Sequence, residues 1–200
     1  MADLKVLAEG VQNLIIGFLL SIGVSLAVVV PADAMESESN REASSPPAVH
    51  LLDSGPGWLM LGIGAFDIFG EGHALGTGRA RPDARVEYRF GRKLFSVGPL
   101  IGLSANGDGG LYGYGGVYLE RSWGSWIFSP AIGFGGYRRA ESKDLDGIFQ
   151  FFAEGTIAYQ LSKELRMGLT FAHCSNGYTQ DRNPGAESLL WTLAIALSKP

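Results

Sequence analysis

The sequence predicts an all-β protein: an eight-stranded antiparallel β-barrel that spans a membrane, preceded by a signal peptide. Three observations carry this. From Trp58 onward the chain falls into eight segments of about ten residues, each setting large apolar side chains against Gly, Ser, Ala or charge. Glycine supplies 29 of the 200 residues, about twice the usual share, which suits close-packed strands better than helices. An uncharged apolar run over residues 14–30 is followed by Pro31-Ala32-Asp33-Ala34, an Ala-x-Ala pattern that fits signal-peptidase cleavage.

Residues 1–34 therefore read as an export signal cleaved after Ala34. Its leading part is atypical, because Asp3 and Glu9 oppose Lys5, the only basic side chain there. The run is also long enough for a marginal membrane helix, but a polar tail follows it rather than basic stop-transfer residues. Residues 35–56, with Glu36, Glu38, Glu42, Pro46 and Pro47, have no periodicity and read as a flexible lead-in to a barrel over 57–200.

The first strand segment, 57–68, is Gly-rich and its parity is ambiguous. The second, 83–91, is the clearest, with Ala84, Val86, Tyr88 and Phe90 against Arg85, Glu87 and Arg89. The third, 95–105, sets Phe95, Val97, Ile101 and Leu103 against Ser96, Gly98, Gly102 and Ser104. The fourth, 110–120, keeps Leu111, Val117 and Leu119 in phase. The fifth, 125–137, sets Trp126, Phe128, Ile132 and Phe134 against Ser129, Ala131, Gly133 and Gly135. The sixth, 147–160, opposes Phe149, Phe151, Ile157 and Tyr159 to Gln150, Glu154, Thr156 and Gln160. The seventh ends at Ser175 and the eighth opens at Glu187.

A soluble sandwich or lipocalin-like barrel would bury the apolar faces and show water the Gly-, Ser- and Ala-rich ones, which are poor in Lys. A membrane barrel reverses this and sends Arg85, Glu87, Arg89, Glu154 and Arg166 into the lumen, where they can pair. Connections after segments two, four and six read as short turns near 91–93, 121–124 and 162–163, and the others as generally longer. Outer-membrane barrels put short turns in the periplasm and longer loops outside, which makes 176–185 an extracellular loop.

The chemistry-bearing stretch is residues 171–191. Counting back from Ser175 gives His173, Phe171, Leu169, Met167 and Leu165 on one face; counting forward from Glu187 gives Leu189, Trp191, Leu193, Ile195 and Leu197. A serine, a histidine and a carboxylate thus share the lipid face of adjacent strands, and polar groups there are costly unless they have a function. A serine needs a base to take its proton, and the base works best when a carboxylate orients it. A polar strand end capped by loop residues would explain an arbitrary His-x-Ser equally well.

The wider pattern is more specific. His173-Cys174-Ser175-Asn176-Gly177 followed by Asn183-Pro184-Gly185-Ala186-Glu187 closely resembles the active-site segment of the PagL-type outer-membrane lipid A 3-O-deacylases, over about 171–198. The resemblance implies a His173, Ser175 and Glu187 triad and oxyanion stabilisation by Asn183, with Asn176 also matching. It implies a serine esterase that removes the 3-O-acyl chain of lipid A from lipopolysaccharide in the outer leaflet, without cofactor or metal, and it allows a homodimer. Position-3 selectivity comes from the resemblance alone. Arg182, Arg138 and Arg139, with Arg79, Arg81 and Lys143, are candidates for the glucosamine phosphates, or are ordinary solvated loop charge.

The formal charge of −4 argues against a general nucleic-acid binder. The single cysteine, Cys174, rules out an internal disulfide and falls on the face opposite His173, where it reads as a small buried side chain. Two alternatives remain. A phospholipase-like acyl hydrolase of the known calcium-dependent kind is longer and has Asn where this chain has Glu187. A structural or adhesive barrel would have no reason to bring His, Ser and Glu into phase.

Overall fold

The computed structural model describes residues 52–70 and 81–197. The expected signal peptide, most of the lead-in and Arg79 lie outside the described residues. Eight long strands form a closed barrel: β1 Gly57–Phe66, β2 Arg81–Arg89, β3 Gly98–Asn106, β4 Leu111–Tyr118, β5 Trp126–Arg138, β6 Phe149–Gln160, β7 Leu165–Ser175 and β8 Ala186–Leu197. Neighbours in sequence pair antiparallel, and β1 meets β8 from Phe66↔Ser188 to Gly57↔Leu197. With every ladder satisfied by a neighbour, the barrel leaves no long free edge, as a lipid environment requires.

The two faces sort as the alternation predicts. Val86, Ile101, Leu103, Ile132, Phe134, Ile157, Tyr159, Met167 and Trp191 stand exposed on the outer wall. β1 resolves with Leu61 and Ile63 outward and Trp58, Met60 and Phe66 inward. Inside, Arg89 donates to Glu87 Oε1 at 2.6 Å, to Glu154 Oε1 at 2.8 Å and to Ser129 Oγ at 2.6 Å, while Arg85 reaches Glu154 Oε2 at 2.6 Å. Tyr114 adds its hydroxyl to Glu87 at 2.8 Å. Arg166 pairs with Glu120 at 2.9 Å and lies over the Trp58 ring at 3.6 Å. Buried charges are tolerable only when paired and hydrogen-bonded in this way.

The lumen glycines have a steric cause. Gly98 faces Tyr118 and Gly102 faces Tyr114 across the β3–β4 register, and a Cβ at either position would overlap the opposing tyrosine ring. Small residues on one strand make room for the aromatic rings of the next.

Several expectations need correction. Leu52–Ser54, expected within the flexible lead-in, forms a short antiparallel ribbon with Arg92–Leu94. That ribbon lengthens the connection after β2, expected as a short turn near 91–93; it ends in a reversal at Phe95 and Ser96, whose positive φ values of 51° and 68° remove them from the third strand. The connection after β4 is likewise extended, by Arg121–Trp123 folding back on the start of β5. The loop between β3 and β4, residues 107–110, expected among the generally longer ones, is shorter than the others at its end of the barrel.

Candidate active site

β7 and β8 are in a register that sets His173 directly opposite Glu187, and cross-strand partners on one face are close enough for their side chains to interact. His173 Nδ1 lies 3.0 Å from Glu187 Oε1. A carboxylate at Nδ1 favours the tautomer that carries its proton there, which leaves Nε2 as the basic nitrogen. Ser175 follows two residues along β7 on the same face, opposite Phe151 of β6, while His173 stands opposite Ala153. Sequence parity thus brings the His, Ser and Glu onto one face.

These three groups share the parity of Met167, Leu169, Leu189 and Trp191, which are 37 % to 61 % exposed, yet His173 and Ser175 are each only 8 % exposed and Glu187 3 %. Phe171, one step below His173 on that face, has Phe69 against it at a ring separation of 6.3 Å. Such burial strengthens the His173–Glu187 interaction by lowering the local dielectric.

The loop after β7 begins with Asn176, which is fully buried. Its Nδ2 donates to the carbonyls of Leu145 at 3.1 Å, Asp146 at 3.1 Å and Arg182 at 2.6 Å, and its Oδ1 accepts from Tyr178 N at 2.9 Å. An amide has two N–H donors, so no side-chain N–H of Asn176 remains for an oxyanion. The Asn176 side chain, expected at the oxyanion, clasps the β5–β6 loop to the β7–β8 loop. Gly177 and Tyr178 follow with φ of 63° and 61°, turning the chain sharply away from the strand.

Asn183 differs from Asn176. It is half-buried, and its Oδ1 has no hydrogen-bond partner among the described residues. The two ends of an amide are interchangeable by a flip, so Asn183 holds an uncommitted amide in the loop leading back to Glu187.

The candidate phosphate-binding cations are mostly engaged. Arg139 reaches Asp144 at 3.1 Å, and Arg182 lies 3.7 Å from Asp144 and 3.6 Å from Asp146. The backbone N–H of Asp146, 3.0 Å from Asp144 Oδ1, holds the Asp144 carboxyl below its usual range, helped by the two arginines. Arg81 pairs with Asp108 at 2.7 Å and Lys143 with Asp67 at 2.6 Å. Arg138 is exposed and carries no ion pair among the described residues. Exposed pairs such as Arg139–Asp144 are weak and can exchange partners for an arriving anion.

Cys174 points the other way and packs against the lumen cluster that holds Tyr112, Tyr114 and Phe152. Sequence reasoning missed the part played by the β5–β6 loop, residues 139–148, whose Leu145 is 1 % exposed and whose backbone receives the Asn176 amide. The signal was local: Asp146-Gly147 is a turn pair, and Asp146 has φ 56° and Gly147 φ 128°.

A closed transmembrane barrel with a buried His–Glu pair and a serine in phase on one wall has the form of an outer-membrane barrel hydrolase. A family model described as lipid A 3-O-deacylase (PagL) matches residues 81–196, more than half of the chain, and the chain belongs to that family. The crystal structure of the outer membrane enzyme PagL superposes with a TM-score of 0.51 at 13 % identity, covering 70 % of this chain and 99 % of that one. A de novo designed transmembrane β-barrel gives 0.48 at 13 % identity, covering 72 % and 97 %. The Yersinia pestis outer membrane protein Ail gives 0.45 at 10 %, covering 72 % and 99 %. No curated protein matches the sequence.

Proposed function

We propose that Ser175, His173 and Glu187 are the triad with which this member of the lipid A 3-O-deacylase family hydrolyses the ester-linked 3-O-acyl chain of lipid A. The observation that carries the reading is the His173 Nδ1 to Glu187 Oε1 contact of 3.0 Å, with Ser175 in phase on the same strand. In this scheme Ser175 Oγ attacks the ester carbonyl while His173 Nε2 takes its proton. The developing oxyanion is met by the amide of Asn183, whose buried oxygen has no hydrogen-bond partner among the described residues. Collapse breaks the bond to the sugar oxygen, which leaves as a hydroxyl with the proton from His173. Water then attacks the acyl-enzyme, His173 accepts a proton from it, and Ser175 is released with that proton as the free acid departs. Glu187 holds the imidazole in its tautomer throughout and offsets the positive charge it carries between steps.

The parity of these residues supports a site at outer-leaflet level, on the extracellular half of the barrel, where a lipopolysaccharide ester can be reached without leaving the membrane. Arg138, Arg139 and Arg182 are the side chains proposed to meet the glucosamine phosphates. The test is mass spectrometry of lipid A after incubation with the refolded protein, beside Ser175→Ala. Loss of one ester-linked 3-hydroxyacyl chain, abolished by Ser175→Ala in a correctly folded barrel, is the expected result. Intact lipid A with hydrolysis of added glycerophospholipid would sink the reading in favour of a phospholipase.

A further inference from the structure

The residue after Arg182 is Asn183, and both backbone polar groups of Arg182 are held by side chains, one from the β5–β6 loop and one from the start of its own loop. Its N–H donates to Asp146 Oδ2 at 2.8 Å, and its carbonyl accepts from Asn176 Nδ2 at 2.6 Å. The first bond restrains the Asp181–Arg182 peptide unit and the second the Arg182–Asn183 unit, each of which moves as a planar piece. Together they restrain where the Asn183 Cα sits, and the following Pro184 narrows the backbone conformations open to Asn183. The amide proposed to meet the oxyanion is therefore aimed by its neighbours.

The holder is itself anchored. Asp146 N donates to Asp144 Oδ1 at 3.0 Å, and the Asp146 carbonyl receives the Asn176 amide at 3.1 Å. Gln150, fully buried at the start of β6, donates to the carbonyls of Gly147 at 2.8 Å and Leu145 at 3.3 Å. Lys143 bonds Asp67 at 2.6 Å, and the Tyr137 hydroxyl donates to the Lys143 carbonyl at 3.0 Å. The β5–β6 loop is thus tied to the barrel mouth at both ends and in its middle, and it carries the Asp146 carboxylate outward as a fixed acceptor.

We infer that Asp146 is a positioning residue for the deacylation, holding the Arg182 backbone so that Asn183 is aimed at the oxyanion. This rests on the triad reading above. It assigns the Asp146 carboxylate a geometric task, accepting one N–H, and its negative charge beside the Arg182 guanidinium is secondary.

That distinction sets the experiment. Initial rates of lipid A 3-O-deacylation in mixed micelles are measured for wild type, Asp146→Ala, Asp146→Asn, Asn183→Ala and the Asp146→Ala/Asn183→Ala double variant, with folding checked by heat-modifiable gel mobility. Loss of an oxyanion donor typically costs about 10²–10³-fold in kcat, and a misaimed donor is expected to cost about 10–100-fold. Asp146→Ala should lower kcat by that amount with KM within about twofold. Asp146→Asn, whose amide oxygen still accepts the Arg182 N–H, should stay within about threefold of wild type. On the Asn183→Ala background, Asp146→Ala should cost less than about threefold, because its target is already gone. Equal losses for the Ala and Asn variants, an effect confined to KM, or additive losses in the double variant would each overturn the positioning role. A wild-type chain that leaves lipid A intact would overturn the triad reading itself, and this inference with it.

Discussion

His173 and Glu187 meet because antiparallel pairing sets them opposite one another; strand parity made their shared face legible in the sequence, while the register and the 3.0 Å contact belong to the fold. Ser175 was legible for the same reason, as was the inward turn of Cys174 between them. The role of Asn176 was not. Its three carbonyl partners include residues 30 and 31 positions away, in a loop whose path no periodicity encodes. At this scale the sharpest prediction concerns Glu187. Glu187→Gln keeps a hydrogen-bonding group of the same size but presents either an oxygen or an N–H to Nδ1, so the tautomer is no longer enforced. Turnover should fall by roughly 10²–10⁴-fold with the barrel intact, as when the carboxylate of other serine triads is amidated. A rate within tenfold of wild type, measured on lipid A, would show that the carboxylate does not orient His173.

Individual strands were legible because their two faces meet different surroundings, and only alternation satisfies both. The pattern failed where it gave way to turn geometry. Phe95 and Ser96 read as strand residues by hydropathy, yet they take positive φ and reverse the chain. Leu52–Ser54 gave no signal, because three residues are too few for a period and their partner ribbon at Arg92–Leu94 is forty positions distant. Strand polarity, by contrast, correctly announced the lumen network. Arg89 there binds Glu87 and Glu154 together, so Arg89→Ala would leave two buried carboxylates with only Arg85 and Tyr114 near them. Removing one partner of a buried ionic cluster costs about 3–5 kcal/mol. Urea unfolding of the barrel in lipid vesicles should register a loss of that order, whereas Arg139→Ala in the exposed Arg139–Asp144 pair should change stability little.

For the molecule as a whole, the closed sheet and the packed lumen make the barrel a solid post, with side chains filling its interior as expected for eight strands. The number of strands and the inside-out sorting of side chains followed from the sequence, because they follow from repeated local choices. The way the loops at the site's end of the barrel brace one another did not, because it depends on side chains meeting across the mouth. A solid post with its candidate site in the wall has no binding chamber to fill from solution, and its encounters with substrate take place in a plane. Catalysis at such a wall should follow the surface density of lipid A, its mole fraction in the leaflet. With total lipid A and protein held constant, adding inert phospholipid to the same vesicles should slow deacylation in proportion to the dilution. Adding more vesicles of unchanged composition should leave the rate per protein as it was. This barrel would work as a two-dimensional enzyme, its speed set by how crowded its own leaflet is with substrate.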